Sequence, residues 1–260
     1  MRSTGELVTQ TIALRGAHVP GDPLVLPNVW DVASARAVQQ GGFVALATSS
    51  SAIAATLGEK DNNTIPVDVA FAIIDRISSS TFLPVTADIE AGYGLGPAEL
   101  ATRLIAAGAA GCNFEDTDHS GNGLIDIEVQ AARIAELKDA ARSYGVDLVL
   151  NARVDAVVRK LGSDDEQLAE SIRRAKRYLE AGADCVYPIM MKGKDNIAAF
   201  VGEVHAPVNI NLQQGRETRA ELASLGVARV SYAGGLFRLT GRAMAQIVEA
   251  IAKDPDSIFD

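Results

Sequence analysis

A chain of 260 residues, 48% hydrophobic and 22% charged, can bury a full core, and about 250 residues is the usual size of a single α/β barrel. The net charge of −9 disfavours nucleic acid and anionic membranes as partners, and no run reaches the roughly 18 apolar residues that a membrane span requires. The polar start, Met1-Arg2-Ser3-Thr4-Gly5-Glu6, leads into no signal-type apolar run, so the expected compartment is the cytoplasm.

Residues 1–22 read as an N-terminal arm added to the core, with a short helix over Thr9 to Leu14 and a loop through Pro20, Gly21 and Pro23. Residues 23–252 read as one catalytic domain, and 253–260 as a polar tail that frays. From Leu24, short apolar runs alternate with longer amphipathic stretches. The runs predict strands at 24–29, 43–48, 84–90, 111–116, 147–154, 185–190, 207–212 and 229–233. Helices are predicted at about 32–40, 67–78, 97–107, 127–143, 164–181, 195–202, 217–224 and 237–252, with a long connection from Ser49 to Pro66. One phrase recurs at the joints: a helix ends on small residues and glycine, and an apolar run begins at once, as in Ala181-Gly182-Ala183-Asp184-Cys185. Glycine suits the left-handed residue after a helix, and the run suits a strand buried on both faces. Eight such βα units predict a closed (β/α)8 TIM barrel. Cys112 and Cys185 lie in apolar runs and read as buried core thiols in a reducing compartment.

In such a barrel the chemistry lies at the C-terminal strand ends, and there the apolar runs turn polar. The run at 84–90 ends in Asp88 and Glu90, two residues apart and so on one face of a continued strand. Two carboxylates there call for a metal ion, a dense hydrogen-bond site, or a structural salt bridge. Other runs end in Thr48-Ser49-Ser50-Ser51, in Glu115-Asp116, in Asn151, Arg153 and Asp155 on alternating positions, and in Asn209 and Asn211. Asp88, Glu90 and Glu115 offer only oxygen ligands, which suits Mg²⁺ or Mn²⁺ and not zinc. Arg153 is a cation that either grips a substrate carboxylate or phosphonate, or pairs with a neighbouring acid. Asn209 joins the candidate substrate-binding residues. Ser49, Ser50 and Ser51 offer hydroxyls and amides to an anion, or form a plain solvated loop. His18 and His205 read as surface or structural residues. No Gly-x-Ser-x-Gly elbow, P-loop or paired cysteine motif is present.

At these residues the chain resembles the isocitrate lyase and phosphoenolpyruvate mutase superfamily, whose Asp-x-Asp-x-Gly-Tyr-Gly signature stands here as Asp88-Ile89-Glu90-Ala91-Gly92-Tyr93-Gly94. Gly58-Glu59-Lys60-Asp61, Phe114-Glu115-Asp116 and Asn151-Ala152-Arg153-Val154-Asp155 are similar to further motifs of that family, in the same order. The resemblance implies a Mg²⁺ enzyme acting on a small anionic 2-oxo or 2-hydroxy carboxylate. Asp88 and Glu90 would hold the metal, with Glu115 partly through water. Ser49 to Ser51 and Arg153 would take the substrate carboxylate, and Asp61 would sit near the reacting bond. It also implies a homo-oligomer, dimer or tetramer, because relatives exchange their last helix between subunits. The family's C–C lyases carry a cysteine on the lid after the strand at 111–116; here that loop is Thr117-Asp118-His119-Ser120-Gly121-Asn122-Gly123-Leu124. His119 and Asn122 become the candidate catalytic residues on it. The family's C–P enzymes carry a histidine where this chain has Ile189. The leading expectation is C–C cleavage, decarboxylation included. Phosphonopyruvate-type C–P hydrolysis or transfer, and a metal-binding barrel without activity, are the alternatives.

Overall fold

Pro27 lacks the N–H that a central strand position donates, and the first barrel strand divides around it. In the computed structural model, which describes residues 2–121 and 123–256, β1 (Leu24–Leu26) pairs with β9 (Arg229–Ser231), while β2 (Asn28–Val29) pairs with β3 (Leu46–Thr48). From β3 the parallel order continues through β4 (Val85–Asp88), β5 (Gly111–Glu115), β6 (Val149–Val154) and β7 (Cys185–Pro188). A parallel bridge between Val186 and Val208 carries the wall on to β8 (Asn209–Asn211), which pairs with β9. The two sheets therefore form one barrel wall of eight strands in nine segments, the TIM barrel that the βα alternation predicts.

The helices between the strands are α2 (Val32–Gln40), α3 (Ser50–Thr56), α4 (Val67–Ser79), α5 (Pro97–Ala106), α6 (Ile127–Ser143), α7 (Asp164–Glu180), α8 (Lys194–Val204) and α9 (Arg219–Ser224). Each long one sets an apolar stripe on the barrel wall: Leu100 and Leu104 of α5, Ile134 and Leu137 of α6, and Ile197 and Phe200 of α8 are all buried. Cys112 and Cys185 are buried free thiols, and burial pushes both up to about 12. His205 ends α8 in the left-handed conformation, a structural role.

Three local expectations are corrected. The N-terminal helix, α1 (Thr4–Gly16), is twice the predicted length, because Ser3 and Glu6 form a reciprocal cap upstream of it. It is not a loose addition: Leu7 and Leu14 join the main core, and Arg15 bonds Asp184 and the Asp147 carbonyl at the entries to β7 and β6. The connection after β3 contains α3, whose N-cap is Ser49; a serine run reads as a loop, yet serine is a favoured cap. Finally, Phe43 and Val44 lie outside the barrel wall and are exposed, so β3 starts only at Leu46.

The last helix, α10 (Gly235–Lys253), has no buried residue, and Leu239, Met244, Ile247 and Val248 are exposed along it. Its first turn is anchored: Phe237 meets Trp30 edge-on, with ring centres 5.1 Å apart. The predicted tail begins where α10 ends, and its last four positions, 257–260, lie outside the described residues.

Candidate active site

Strand alternation brings Asp88 to the C-terminal end of β4 but does not explain Glu90. The strand stops at Asp88, and Glu90 takes φ +48°, a left-handed conformation that disfavours residues with a Cβ. Gly92 turns the chain at φ +93°, where a Cβ would lie 2.8 Å from Leu100 Cδ1 and 3.2 Å from Phe114 Cε2. This turn, and not the strand phase, returns Glu90 to the acids around it.

Ser50 donates to Asp88 Oδ2 from its amide (3.2 Å) and its hydroxyl (2.9 Å), while among the described residues Asp88 Oδ1 accepts no hydrogen bond. Glu90 is buried; Oε2 accepts from the Asn63 amide, and Oε1 has no partner among the described residues. Burial, followed by the Asp61 charge, pushes the Glu90 carboxyl up to about 8. Burial also raises Asp61, with Asp88 adding to it.

The β5–β6 register sets Glu115 opposite Arg153, and Arg153 Nη1 lies 2.6 Å from Glu115 Oε2. Nε and Nη2 of Arg153 both donate to Asp155, each at 2.7 Å, so two carboxylates surround this guanidinium. The other Glu115 oxygen meets His119 Nε2 at 2.8 Å, and His119 Nδ1 lies 3.0 Å from Asn62 Oδ1. His119 thus ties the loop after β5 to the connection after α3. Asn63, on that connection, also accepts from the Tyr93 amide. Neither Asn62 nor Asn63 stood out in the sequence, where an asparagine pair in a polar loop reads as turn chemistry. Asp116 turns outward to Arg174 and the Tyr178 hydroxyl, a structural role.

A cavity of about 170 Å³ opens beside these groups, lined by the predicted Ser49, Ser50, Ser51, Asp61, Asp88 and Arg153; Glu90, Glu115 and His119 are not among its lining residues. Asn209 is not among its lining residues. Its fully buried amide pairs with the Ser231 hydroxyl inside the barrel, and Asn211, two residues on, lines the cavity in its place. Gln213, Ser231 and Arg238 also belong to the polar wall, with Asn28, Asn113 and Tyr187. Asn122 lies outside the described residues.

Among the described residues, no three acidic, histidine or cysteine side chains converge as a closed metal cage. The donors fit a hard cation that keeps most of its water: Asp88 has a free oxygen, Glu90 an orphaned buried one, and the cluster holds uncompensated negative charge. Asp88 and Glu90 would hold such an ion. Glu115, with both oxygens engaged by Arg153 and His119, could act only through water or after rearrangement.

The family model for phosphoenolpyruvate phosphomutase matches residues 14–252. The chain belongs to that family. It thereby falls in the isocitrate lyase and phosphoenolpyruvate mutase superfamily. Among solved structures of the superfamily, a Burkholderia cenocepacia protein described as a candidate phosphonomutase is 38% identical, with a TM-score of 0.88 over 92% of this chain and 99% of that one. The 2-methylisocitrate lyase of Shewanella oneidensis is 29% identical over 95% of this chain and 87% of its own. A phosphonopyruvate hydrolase solved with oxalate and Mg²⁺ is 26% identical, with a TM-score of 0.83 over 95% and 88% of the two chains. Homologues are thus enzymes acting on small carboxylates. No described helix is long and apolar enough to cross a membrane.

Proposed function

We propose that this family member is a Mg²⁺-dependent lyase that breaks a C–C bond, decarboxylation included, in a small 2-oxo or 2-hydroxy carboxylate. The carrying observation is the Glu90 oxygen left buried without a partner beside Asp61 and Asp88, acids whose shared ionisation a divalent cation favours. When bound, the cation supplies Lewis-acid stabilisation of charge developing on the 2-oxo group. Asp88, oriented by Ser50, holds it together with Glu90. Asp61, which lines the cavity beside Asp88, is the candidate proton donor there. His119 orients Glu115 and closes the loop over it.

The likeness to a candidate phosphonomutase supports a second reading, C–P chemistry on a phosphonopyruvate-type substrate. Ile189 in the cavity wall, where the family's C–P enzymes carry a histidine, weighs against it. Incubation with oxaloacetate, 2-methylisocitrate and phosphonopyruvate, with and without Mg²⁺, separates the two. C–C cleavage is expected only with Mg²⁺, and Asp88→Asn lowers it about a hundredfold or more. Phosphate release from phosphonopyruvate alone overturns the first reading in favour of the second.

We also propose a homo-oligomer, supported by the exposed apolar residues of α10. Sedimentation at the 27.3 kDa monomer mass alone would overturn it.

A further inference from the structure

Two arginines line the cavity, and they differ in what they can still hold. Arg153 is encircled by Asp155 and Glu115, so its attraction for a further anion is largely cancelled. Arg238, one residue after the anchored Phe237, makes no ion pair and no side-chain hydrogen bond among the described residues, yet lines the same cavity. Asp61, exposed on the connection after α3, and the half-buried Asp88 line the cavity too. An anionic group on a substrate is repelled there except where a cation intervenes, and finds its uncancelled positive charge at Arg238.

The turn before α10 is shaped to match. A Cβ on Gly234 would lie 2.8 Å from Ser51 Oγ and 3.0 Å from Arg238 Nη1, so the hydroxyl and the guanidinium flank one small space over this glycine. Gly234 has φ −77°, which any residue adopts, so glycine serves here to leave room. Its neighbour Ala233 sits at φ +46°, a strained conformation held at the cavity wall. Ser50 is bound to Asp88 and Ser49 caps α3, while Ser51 Oγ lies 3.1 Å from Ser49 Oγ; with Ser49 donating across that contact, the Ser51 proton is left to offer an anion. One turn further on, Arg242 shares an adjoining cavity of about 590 Å³ with Arg238, and it too makes no ion pair among the described residues. In a chain of net charge −9, two uncompensated arginines at one mouth form a local attraction for anions.

We infer that Arg238, the Ser51 hydroxyl and the open face of Gly234 form a second anion subsite, which takes the distal carboxylate of a dianionic 2-oxo or 2-hydroxy acid. The inference rests on reading the cavity as a carboxylate site and narrows its substrates to dicarboxylates. Arg238 is then a specificity-determining residue: a dianion is gripped at both ends, and a monoanion leaves the guanidinium without a partner.

Calorimetric titration of the Mg²⁺-loaded protein with malate and with lactate tests this without requiring turnover. The two share a 2-hydroxy acid head and differ in the second carboxylate. Malate is expected to bind more tightly, Arg238→Gln to weaken malate roughly 10- to 100-fold while leaving lactate within about twofold, and Arg238→Lys to restore part of the loss. Gly234→Ala, which fills the space, is expected to weaken malate more than lactate. Equal losses for both ligands in Arg238→Gln, or no loss for malate, overturn the subsite and leave the carboxylate reading standing. If neither ligand binds the wild-type protein, both are overturned.

Discussion

The two ends of the barrel handle buried charge in opposite ways. At the entries to β6 and β7, Lys138 is 1% exposed, yet all three of its protons are matched: Asp184 and Asp147 each lie 2.8 Å away, and the Leu148 carbonyl 2.7 Å. Arg15 reaches the same two aspartates at 2.9 and 3.0 Å and Arg142 reaches Asp147 at 3.2 Å, so three cations face the two anions. At the other end, Asp88, Glu115 and Asp155 gather around Arg153, and Glu90 lies near Asp61, Asp88 and Glu115. One buried oxygen there, Glu90 Oε1, has no partner among the described residues, and the carboxyls of Glu90 and Asp61 are pushed upward. A closed set of pairs serves the fold. An open set with an excess of one sign is destabilising alone and becomes favourable only with a ligand of the opposite sign, as the proposed cation site requires.

The largest expected effect tests the matched end. Lys138→Met keeps the aliphatic stem but leaves Asp184 and Asp147 short of a buried partner, and breaking such a pair from one side costs about 3–5 kcal/mol. Denaturant midpoints would show that loss, while turnover per folded molecule stays at the wild-type level. A loss below about 1 kcal/mol would mean that Arg15 and Arg142 suffice for the two acids, and the contrast between the ends would fail as drawn.

What could be read from the sequence followed the same division. The βα alternation and the glycine joints rest on short-range chemistry, so the barrel and most helix positions were legible. The acids at the ends of β4 and β5 were legible too, because a carboxylate ending an apolar run has few structural excuses. Glu90 reached the cluster by a left-handed turn that the two-residue spacing hid. Asn209 and Asn211 share one strand phase, and only depth within the barrel separates the buried one from the cavity-lining one. The pairing of Arg153 with Asp155, two residues away, was open to either reading until the side-chain geometry decided it. Arg238 gave no signal: it lies on a helix whose pattern speaks only of an apolar stripe, and its approach to Ser51 depends on contact across 187 residues of chain.

A smaller effect, of opposite sign, tests the open end. Glu90 keeps its proton up to about 8 in the folded protein, against an ordinary value of 4.5. Between those values the unfolded chain has lost a proton that the folded chain retains, so in chelated protein this group's contribution favours folding less and less as pH rises, and its full penalty is present above about 8. Glu90→Gln removes the ionisation and preserves an oxygen acceptor for the Asn63 amide. At pH 8 without divalent cations the variant should be about 1–2 kcal/mol more stable than wild type, the amide bond already offsetting part of the repulsion. At pH 5 the two should nearly coincide. Mg²⁺ should then raise the wild-type midpoint more than that of the variant, since a cation binding the folded state stabilises it by mass action. Urea unfolding at the two pH values, with and without Mg²⁺, measures all of this. A variant less stable than wild type at pH 8 in chelator would show that Glu90 is satisfied within the fold, and the excess of negative charge that distinguishes the two ends would then not exist.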